Sequence, residues 1–123
     1  MNPIDQLVTS IETGDFTGFD GFAPDVALEA TVPGWHLSVH GEEAVRKQVS
    51  AWFADPGHFE HLRRTPLPQG ELVELVLRWR EDGQLFAASQ AHVLEVQDGR
   101  IVADHMWCGG RWPEALVAEM RAA

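Results

Sequence analysis

The stretch HVLEVQDGRIV, residues 92–102, gives the strongest indication of the fold, because it contains the clearest β-hairpin pattern in the chain. Asp98-Gly99 at its centre is a pair that favours tight turns between antiparallel strands. We predict one strand on each side of this turn, over Phe86–Val96 and Arg100–Cys108. Apolar and polar residues also alternate over Glu71–Glu81, which predicts a further strand before the hairpin. The C-terminal half is therefore predicted to be an antiparallel meander.

Helical patterns dominate the first part of the chain. Asn2 is a good N-cap and Gly14 is a good helix stop. The apolar residues between them recur at helical spacing and are Ile4, Leu7, Val8 and Ile11. A second, shorter helix is predicted to begin at Asp15, because three phenylalanines follow at every third position, and to end over Phe22–Asp25. A further helix is predicted to begin at Gly41 and to end at Asp55-Pro56-Gly57.

The remaining segments complete an α+β pattern. Short strands are predicted over Val26–Val32, Trp35–His40 and His58–Thr65, and a C-terminal helix is predicted to start at Trp112-Pro113-Glu114. Helices come first and strands follow in a long run, which differs from the alternation of parallel α/β folds. The length of 123 residues suits one domain, so we assign residues 1–123 to a single unit.

The composition excludes several classes of partner. Nine basic residues against 19 acidic ones give a formal net charge of −10, which repels nucleic acids and anionic membrane surfaces. No apolar run approaches the roughly 20 residues that span a bilayer. The single cysteine, Cys108, excludes an intrachain disulfide, and Met1-Asn2-Pro3 is unlike a secretion signal. We therefore expect a cytoplasmic protein that binds neither nucleic acid nor membrane.

Four short motifs in this order resemble the nuclear transport factor 2-like superfamily, in particular its SnoaL-like and ketosteroid-isomerase-like members. The motifs are Glu12–Phe16, Phe22–Val26, His40–Arg46 and His92–Val102, and the resemblance extends over nearly the whole chain. The resemblance implies a cone-shaped α+β fold, in which a curved antiparallel sheet wraps around the N-terminal helices. It also implies one apolar cavity that takes a small apolar or cyclic organic molecule.

Residues on which related enzymes depend are replaced at the matching positions. Leu7 stands where the resemblance places the catalytic tyrosine of ketosteroid isomerases, and Ala30 stands in place of their general-base aspartate. His92 matches their oxyanion-hole aspartate, and Met106 lies near the position of an acidic residue in SnoaL-like cyclases. The sequence contains no tyrosine. The resemblance thus implies the fold and the cavity without the best-known reactions.

His92 and Asp104 are the candidate catalytic pair, since the family position places both on the cavity side. A three-residue hairpin loop would set His92 opposite Asp104, whereas a two-residue turn would set it opposite His105; we favour the first. A carboxylate fixes the tautomer of an imidazole and stabilises its charged form, so the pair could act as a general acid and base. The alternative is a buried pair that serves the structure alone. Gln90, on the same face, could bind a substrate carbonyl.

An apolar wall completes the predicted site. Its candidate substrate-binding residues are Leu7, Leu28, Ala30, Leu75, Leu77, Trp79, Leu94, Met106 and Cys108. We predict no metal site, because His36 and His40 would lie ~13 Å apart along a strand. Val93, Ile101 and Trp107 predict an apolar outer sheet face and hence a homodimer. The C-terminal helix is then either a lid over the cavity or part of the dimer.

Two classes of function agree with these residues. One is a cofactor-independent isomerase, cyclase or dehydratase that acts on a cyclic or polyketide-like substrate through His92 and Asp104. The other is a non-catalytic ligand-binding or dimerisation domain, which the missing tyrosine and aspartates favour. Epoxide hydrolysis ranks last, because the sequence shows no set of inward-facing arginine and aspartate residues.

Overall fold

The computed structural model describes residues 2–122, which form three helices and one sheet of seven strands. The helices are α1 (Pro3–Thr13), α2 (Glu42–Trp52) and α3 (Glu114–Ala122). The strands are β1 (Phe22–Val32), β2 (Trp35–His40), β3 (Gly57–Leu67), β4 (Gly70–Glu81), β5 (Gln84–Gln97), β6 (Arg100–Cys108) and β7 (Trp112–Pro113). The architecture is the predicted α+β type.

The sheet is curved, open and mixed. Its strand order is β2-β1-β6-β5-β4-β3, and the short β7 pairs with β5 beyond the end of β6. The sheet is mixed where an antiparallel one was expected, because β1 runs parallel to β6. The meander from β3 to β6 leaves one free edge on β6, and β1 fills it while forming an antiparallel hairpin with β2. Register shifts in β1, β3 and the β5–β6 pair bend the strands around the core.

Helices α1 and α2 supply the other side of the core. The Asn2 side chain caps α1 by accepting a hydrogen bond from the Asp5 backbone N–H at 2.8 Å, as the sequence predicts. Apolar faces of both helices are buried against the inner face of the sheet. The buried helical residues include Ile4, Leu7, Ile11, Val45 and Val49.

The second helix predicted from Asp15 is absent, and this prediction was wrong. The Asp15 carboxylate accepts a hydrogen bond from the Thr17 backbone N–H at 2.8 Å, which favours a turn over a helix. Gly18 then adopts a positive φ of 76°. The phenylalanines that suggested a helix are nevertheless buried, because Phe19 packs edge-on against Phe16 and Phe22. The regular spacing of the phenylalanines therefore predicted their burial correctly, but it predicted the wrong secondary structure.

The pairing register of the β5–β6 hairpin differs from both registers that the sequence predicted. Asp98-Gly99 forms a two-residue turn, so Gln97 pairs with Arg100 and Val96 with Ile101. A bulge at Val102 then advances β6 by one residue. As a result Leu94 lies opposite Asp104 and Met106 lies opposite His92, where we expected Asp104 or His105.

The same bulge corrects the predicted outer face. Ile101 is fully buried on the inner side, because it precedes the bulge and its backbone N–H bonds to the Gly21 carbonyl. After the bulge, the inner positions of β6 are Asp104 and Met106, while Trp107 is 46% exposed on the outer side. Ile101 therefore does not belong to the apolar outer sheet face that was predicted for Val93, Ile101 and Trp107.

Helix α3 lies against the outer face of the sheet and is not a lid over the inner face. Its Glu114 forms an ion pair with Arg78, and the Arg78 side chain alternates with the inward Leu77 and Trp79 along β4. Arg78 also pairs with Glu60 of β3 at 2.8 Å. The short segment before α3, in contrast, passes the mouth of the internal cavity.

Candidate functional site

A cavity of about 330 Å³ lies between the inner face of the sheet and the C-terminal end of α2. This volume falls within the range of roughly 300–1,000 Å³ that is typical of small-molecule sites. The lining residues are mainly apolar and aromatic. They are Val32, Pro33, Trp52, Phe53, Asp55, Leu77, Trp79, Ala88, Gln90, Met106, Cys108, Gly110 and Arg111.

The structure divides the predicted substrate-binding residues into two groups. Five of them line the cavity, namely Leu77, Trp79, Gln90, Met106 and Cys108. The other apolar ones are buried in the core and do not line it, namely Leu7, Leu28, Ala30, Leu75 and Leu94.

His92 and Asp104 contact each other directly behind this wall. The Nδ1 atom of His92 lies 3.0 Å from Oδ1 and 3.1 Å from Oδ2 of Asp104. Each residue is only 2% exposed. The two residues are diagonal neighbours across β5 and β6, and diagonal positions on one sheet face are within reach of long side chains. The bulge at Val102 brings them together, since it turns Asp104 inward.

Gln90 connects this buried pair to the cavity. Its Oε1 atom lies 2.9 Å from Nε2 of His92, and its Nε2 atom lies 3.6 Å from Sγ of Cys108. The Gly110 backbone N–H also approaches this sulfur, at 3.4 Å. Asp104, His92, Gln90 and Cys108 thus form one row of polar side chains, of which Gln90 and Cys108 reach the cavity.

The cavity also carries charged residues that the sequence analysis did not include. Asp55 follows α2 and is one of the residues that line the wall. Arg111 lies on the wall as well, where it forms an ion pair with Glu81 and places its guanidinium 5.1 Å from the centre of the Trp79 ring. The sequence showed no inward-facing set of arginine and aspartate, and the structure places one residue of each kind on the cavity wall. The Trp79 indole is held in turn by a 3.0 Å hydrogen bond to Glu81.

These missed residues lie outside regular strands, which explains why alternation did not find them. Asp55 belongs to the Asp55-Pro56-Gly57 segment, which indicated only the end of a helix. Arg111 follows two glycines, Gly109 and Gly110, and the second of these adopts a φ of 108°. Alternation of residues predicts side-chain direction only in a regular strand, so it could not show that these two residues face the cavity.

Two further properties bear on the kind of site. Across residues 2–122, no group of three or more histidine, cysteine, aspartate or glutamate side chains is arranged to hold a metal ion. In the same part of the chain, no helix is long and apolar enough to cross a membrane.

Comparison with known proteins identifies the family. The model of the SnoaL-like domain matches residues 4–104, which is most of the chain. Among solved structures, an NTF2-like protein from Anabaena variabilis superposes with a TM-score of 0.75 at 15% identity, covering 88% of this chain and 84% of that one. No curated protein matches the sequence closely enough to count as a relative.

Two other solved structures share the fold. A putative polyketide cyclase from Xanthomonas campestris gives a TM-score of 0.68 at 15% identity, covering 85% of this chain and 86% of that one. An LEH-like epoxide hydrolase from M. tuberculosis gives a TM-score of 0.67 at 17% identity, covering 86% and 79%. At such identities the likeness shows a common fold.

Proposed function

The chain belongs to the SnoaL-like domain family, and we propose that it binds a small, largely apolar organic molecule in its cavity and acts on it by proton transfer without a cofactor. One observation carries this proposal: a polar row leads from the apolar cavity to a buried imidazole–carboxylate pair. A cyclic or polyketide-like compound would suit the aromatic wall. The polyketide cyclase among the structural neighbours agrees with this substrate class.

His92 is the acid–base group in this proposal. Its Nδ1–H donates to Asp104, which fixes the tautomer and leaves Nε2 to exchange a proton. Nε2 now faces Oε1 of the Gln90 amide, which is itself an acceptor, so the amide has to turn over or rotate towards the cavity before Nε2 can act as a base. Rotation would free Nε2 and would let the Gln90 amide donate a hydrogen bond to a substrate carbonyl. His92 could then take a proton from the carbon beside that carbonyl and return it elsewhere.

Exchange of the α-protons of 2-tetralone in heavy water tests this proposal without knowledge of the natural substrate. The ketone is cyclic and apolar, and NMR follows the loss of its α-proton signals. We expect the protein to accelerate the exchange, and His92→Gln to remove roughly 10²-fold of the acceleration, because one general base contributes at least that much. Asp104→Asn should also slow it.

His105→Gln is the matched control, because His105 lies on the outer face of β6 and stacks on Trp107. This variant should exchange the ketone at the wild-type rate. Exchange that is equally fast in His92→Gln and in the wild type would refute the catalytic role of His92.

A second candidate function is a non-catalytic binding domain. The position of Gln90 favours it, because the 2.9 Å contact with His92 shields Nε2 from the cavity. The absence of tyrosine from the sequence agrees with it too. This function predicts that 2-tetralone quenches the fluorescence of Trp52 and Trp79, which line the cavity, while its α-protons exchange no faster than in buffer.

We also propose that the protein is a cytoplasmic homodimer. The dimer proposal rests on the outer sheet face, where Trp107 stacks on His105 at 5.1 Å and keeps nearly half of its surface exposed. Exposed apolar patches of this kind are typical of interfaces between subunits. The cytoplasmic location rests on the single free cysteine, Cys108.

A further inference from the structure

Asp55 is a charged group on the cavity wall whose charge is not balanced by the protein. It lies in the segment between α2 and β3 and is half-buried. Within residues 2–122, no lysine, arginine or histidine forms an ion pair with its carboxylate. A partly desolvated carboxylate gains from a cationic partner, because screening by water is weaker there than on an open surface.

Arg111 does not supply that partner, although it lines the same cavity. Its guanidinium is already paired with Glu81 and lies 5.1 Å from the centre of the Trp79 ring. The positive charge of Arg111 is therefore neutralised locally by Glu81. The wall is left with the net negative charge of Asp55.

The aromatic residues of the wall favour a cation as well. Trp52, Phe53 and Trp79 all line the cavity, and the faces of indole rings attract cations more strongly than those of the other aromatic side chains. Trp79 already holds the Arg111 guanidinium over one face, so this ring is engaged in an interaction of that kind. The formal net charge of −10 raises the local concentration of cations around the whole molecule.

We propose that the cavity is selective for an amine whose protonated nitrogen pairs with Asp55 and whose apolar body fills the aromatic wall. This inference rests on the proposed function, namely that the cavity holds a small organic molecule. It adds the chemical class of that molecule: a hydrophobic alkylammonium or a protonated cyclic amine. The carboxylate supplies the charge contact, and Trp52 supplies the aromatic contact.

Two probes that differ almost only in charge test the selectivity. 1-Adamantylammonium and 1-adamantanol share one rigid apolar body, and calorimetry measures the affinity of each. We expect the wild-type protein to bind the ammonium at least about fivefold more tightly than the alcohol. Asp55→Asn should remove most of this preference and leave the affinity for 1-adamantanol unchanged. Trp52→Leu should weaken the binding of 1-adamantylammonium more than the binding of 1-adamantanol.

Asp98→Asn is the matched control, because it removes the same charge from an exposed turn at the far end of the β5–β6 hairpin. Asp98 has a φ of 52°, which asparagine tolerates well. This variant should keep the preference for the ammonium. Equal affinity for the two probes, or a preference that survives undiminished in Asp55→Asn, overturns the selectivity and leaves the small-molecule function intact. Binding of neither probe contradicts both proposals.

Discussion

His92 and Asp104 depend on each other, because both are buried behind the cavity wall among mainly apolar core residues. An imidazole in such a place needs a hydrogen-bond partner on Nδ1, and Asp104 supplies it at 3.0 Å. Each residue loses its main polar partner when the other is replaced. The pair therefore contributes to stability whether or not it also transfers protons.

Asp104→Leu should lower the free energy of unfolding by about 3 kcal/mol, since it leaves the buried imidazole without its acceptor. Urea denaturation measures this loss, with Asp98→Asn as a control of the same charge change. In a His92→Leu background the same substitution should cost less, by at least about 1 kcal/mol. Equal losses in the two backgrounds would mean that the residues do not interact.

Glu29 gives a prediction about pH. Hydrogen bonds from Ser38 and His36, of 2.5 Å and 2.9 Å, lower the pKa of its carboxyl group below the ordinary value of 4.5. A carboxyl group with a lowered pKa stabilises the fold above its unfolded-state pKa, and this contribution disappears as the pH falls through the folded-state pKa. The stabilisation by Glu29 is therefore complete well above pH 4.5 and decreases as the pH falls through this value.

The difference in unfolding free energy between the wild type and Glu29→Gln should accordingly shrink from about pH 5.5 to about pH 3. Urea titrations at a series of pH values measure this difference. Glu119→Gln serves as the control, because Glu119 is an exposed carboxylate on α3. A difference for Glu29→Gln that stays constant over this range would show that its hydrogen bonds do not act on the ionised form.

The sequence predicted the direction of individual side chains where the residue lies in a regular strand. Alternation and family position put His92, Gln90 and Met106 on one face, and the structure places them there. Asp55 and Arg111 were missed, because their side-chain directions depend on how an irregular segment folds over the cavity. That direction is determined by tertiary contacts, which no local pattern encodes.

Among the elements, β6 owes its inward side chains to the bulge at Val102. Inserting one alanine after Ala103 should turn Asp104 and Met106 outward, because a shift of one residue moves every side chain to the other face. We expect a loss of at least about 3 kcal/mol, or failure to fold. Val102→Ala retains the bulge and should cost less than about 1 kcal/mol. Thermal unfolding followed by circular dichroism compares the two variants, and equal stability would contradict the role of the bulge.

The end of α1 determines where the Asp55 segment lies. Gly14 adopts a φ of 70°, and a Cβ atom there would meet the Asp55 carbonyl carbon at 2.7 Å. Gly14→Ala should therefore cost about 1–3 kcal/mol and weaken binding of 1-adamantylammonium by displacing Asp55. Gly18→Ala is the control for backbone strain alone, since Gly18 has a φ of 76° and open space around it. Similar ammonium affinities in both variants would argue against the displacement.

Most elements were predictable because their patterns are local. α1 has a cap and an apolar face, and the β5–β6 turn has Asp98-Gly99. The parallel pairing of β1 with β6 was not predictable, because it joins segments about 75 residues apart and no local pattern marks it. The bulge escaped prediction for a related reason: Val102 is an ordinary strand residue, and packing of β6 against β1 makes it the extra one.

For the whole molecule, the outer sheet face predicts self-association. Sedimentation of the wild type should show a dimer, and Trp107→Lys should shift it to a monomer, because a charge would then be buried at the interface. Met120→Lys adds the same charge at an exposed position on α3 and should leave the dimer intact. A wild-type protein that sediments as a monomer would contradict the dimer.

The central claim is that the buried His92–Asp104 pair communicates with the cavity through Gln90. The most direct measurement is the imidazole ¹⁵N resonance of His92 during a titration with 2-tetralone. Tryptophan fluorescence reports in parallel how far the cavity has filled. We predict that the His92 resonance shifts in proportion to that filling, because the ketone displaces the Gln90 amide from Nε2. A cavity that saturates while the His92 resonance stays in place would contradict the claim.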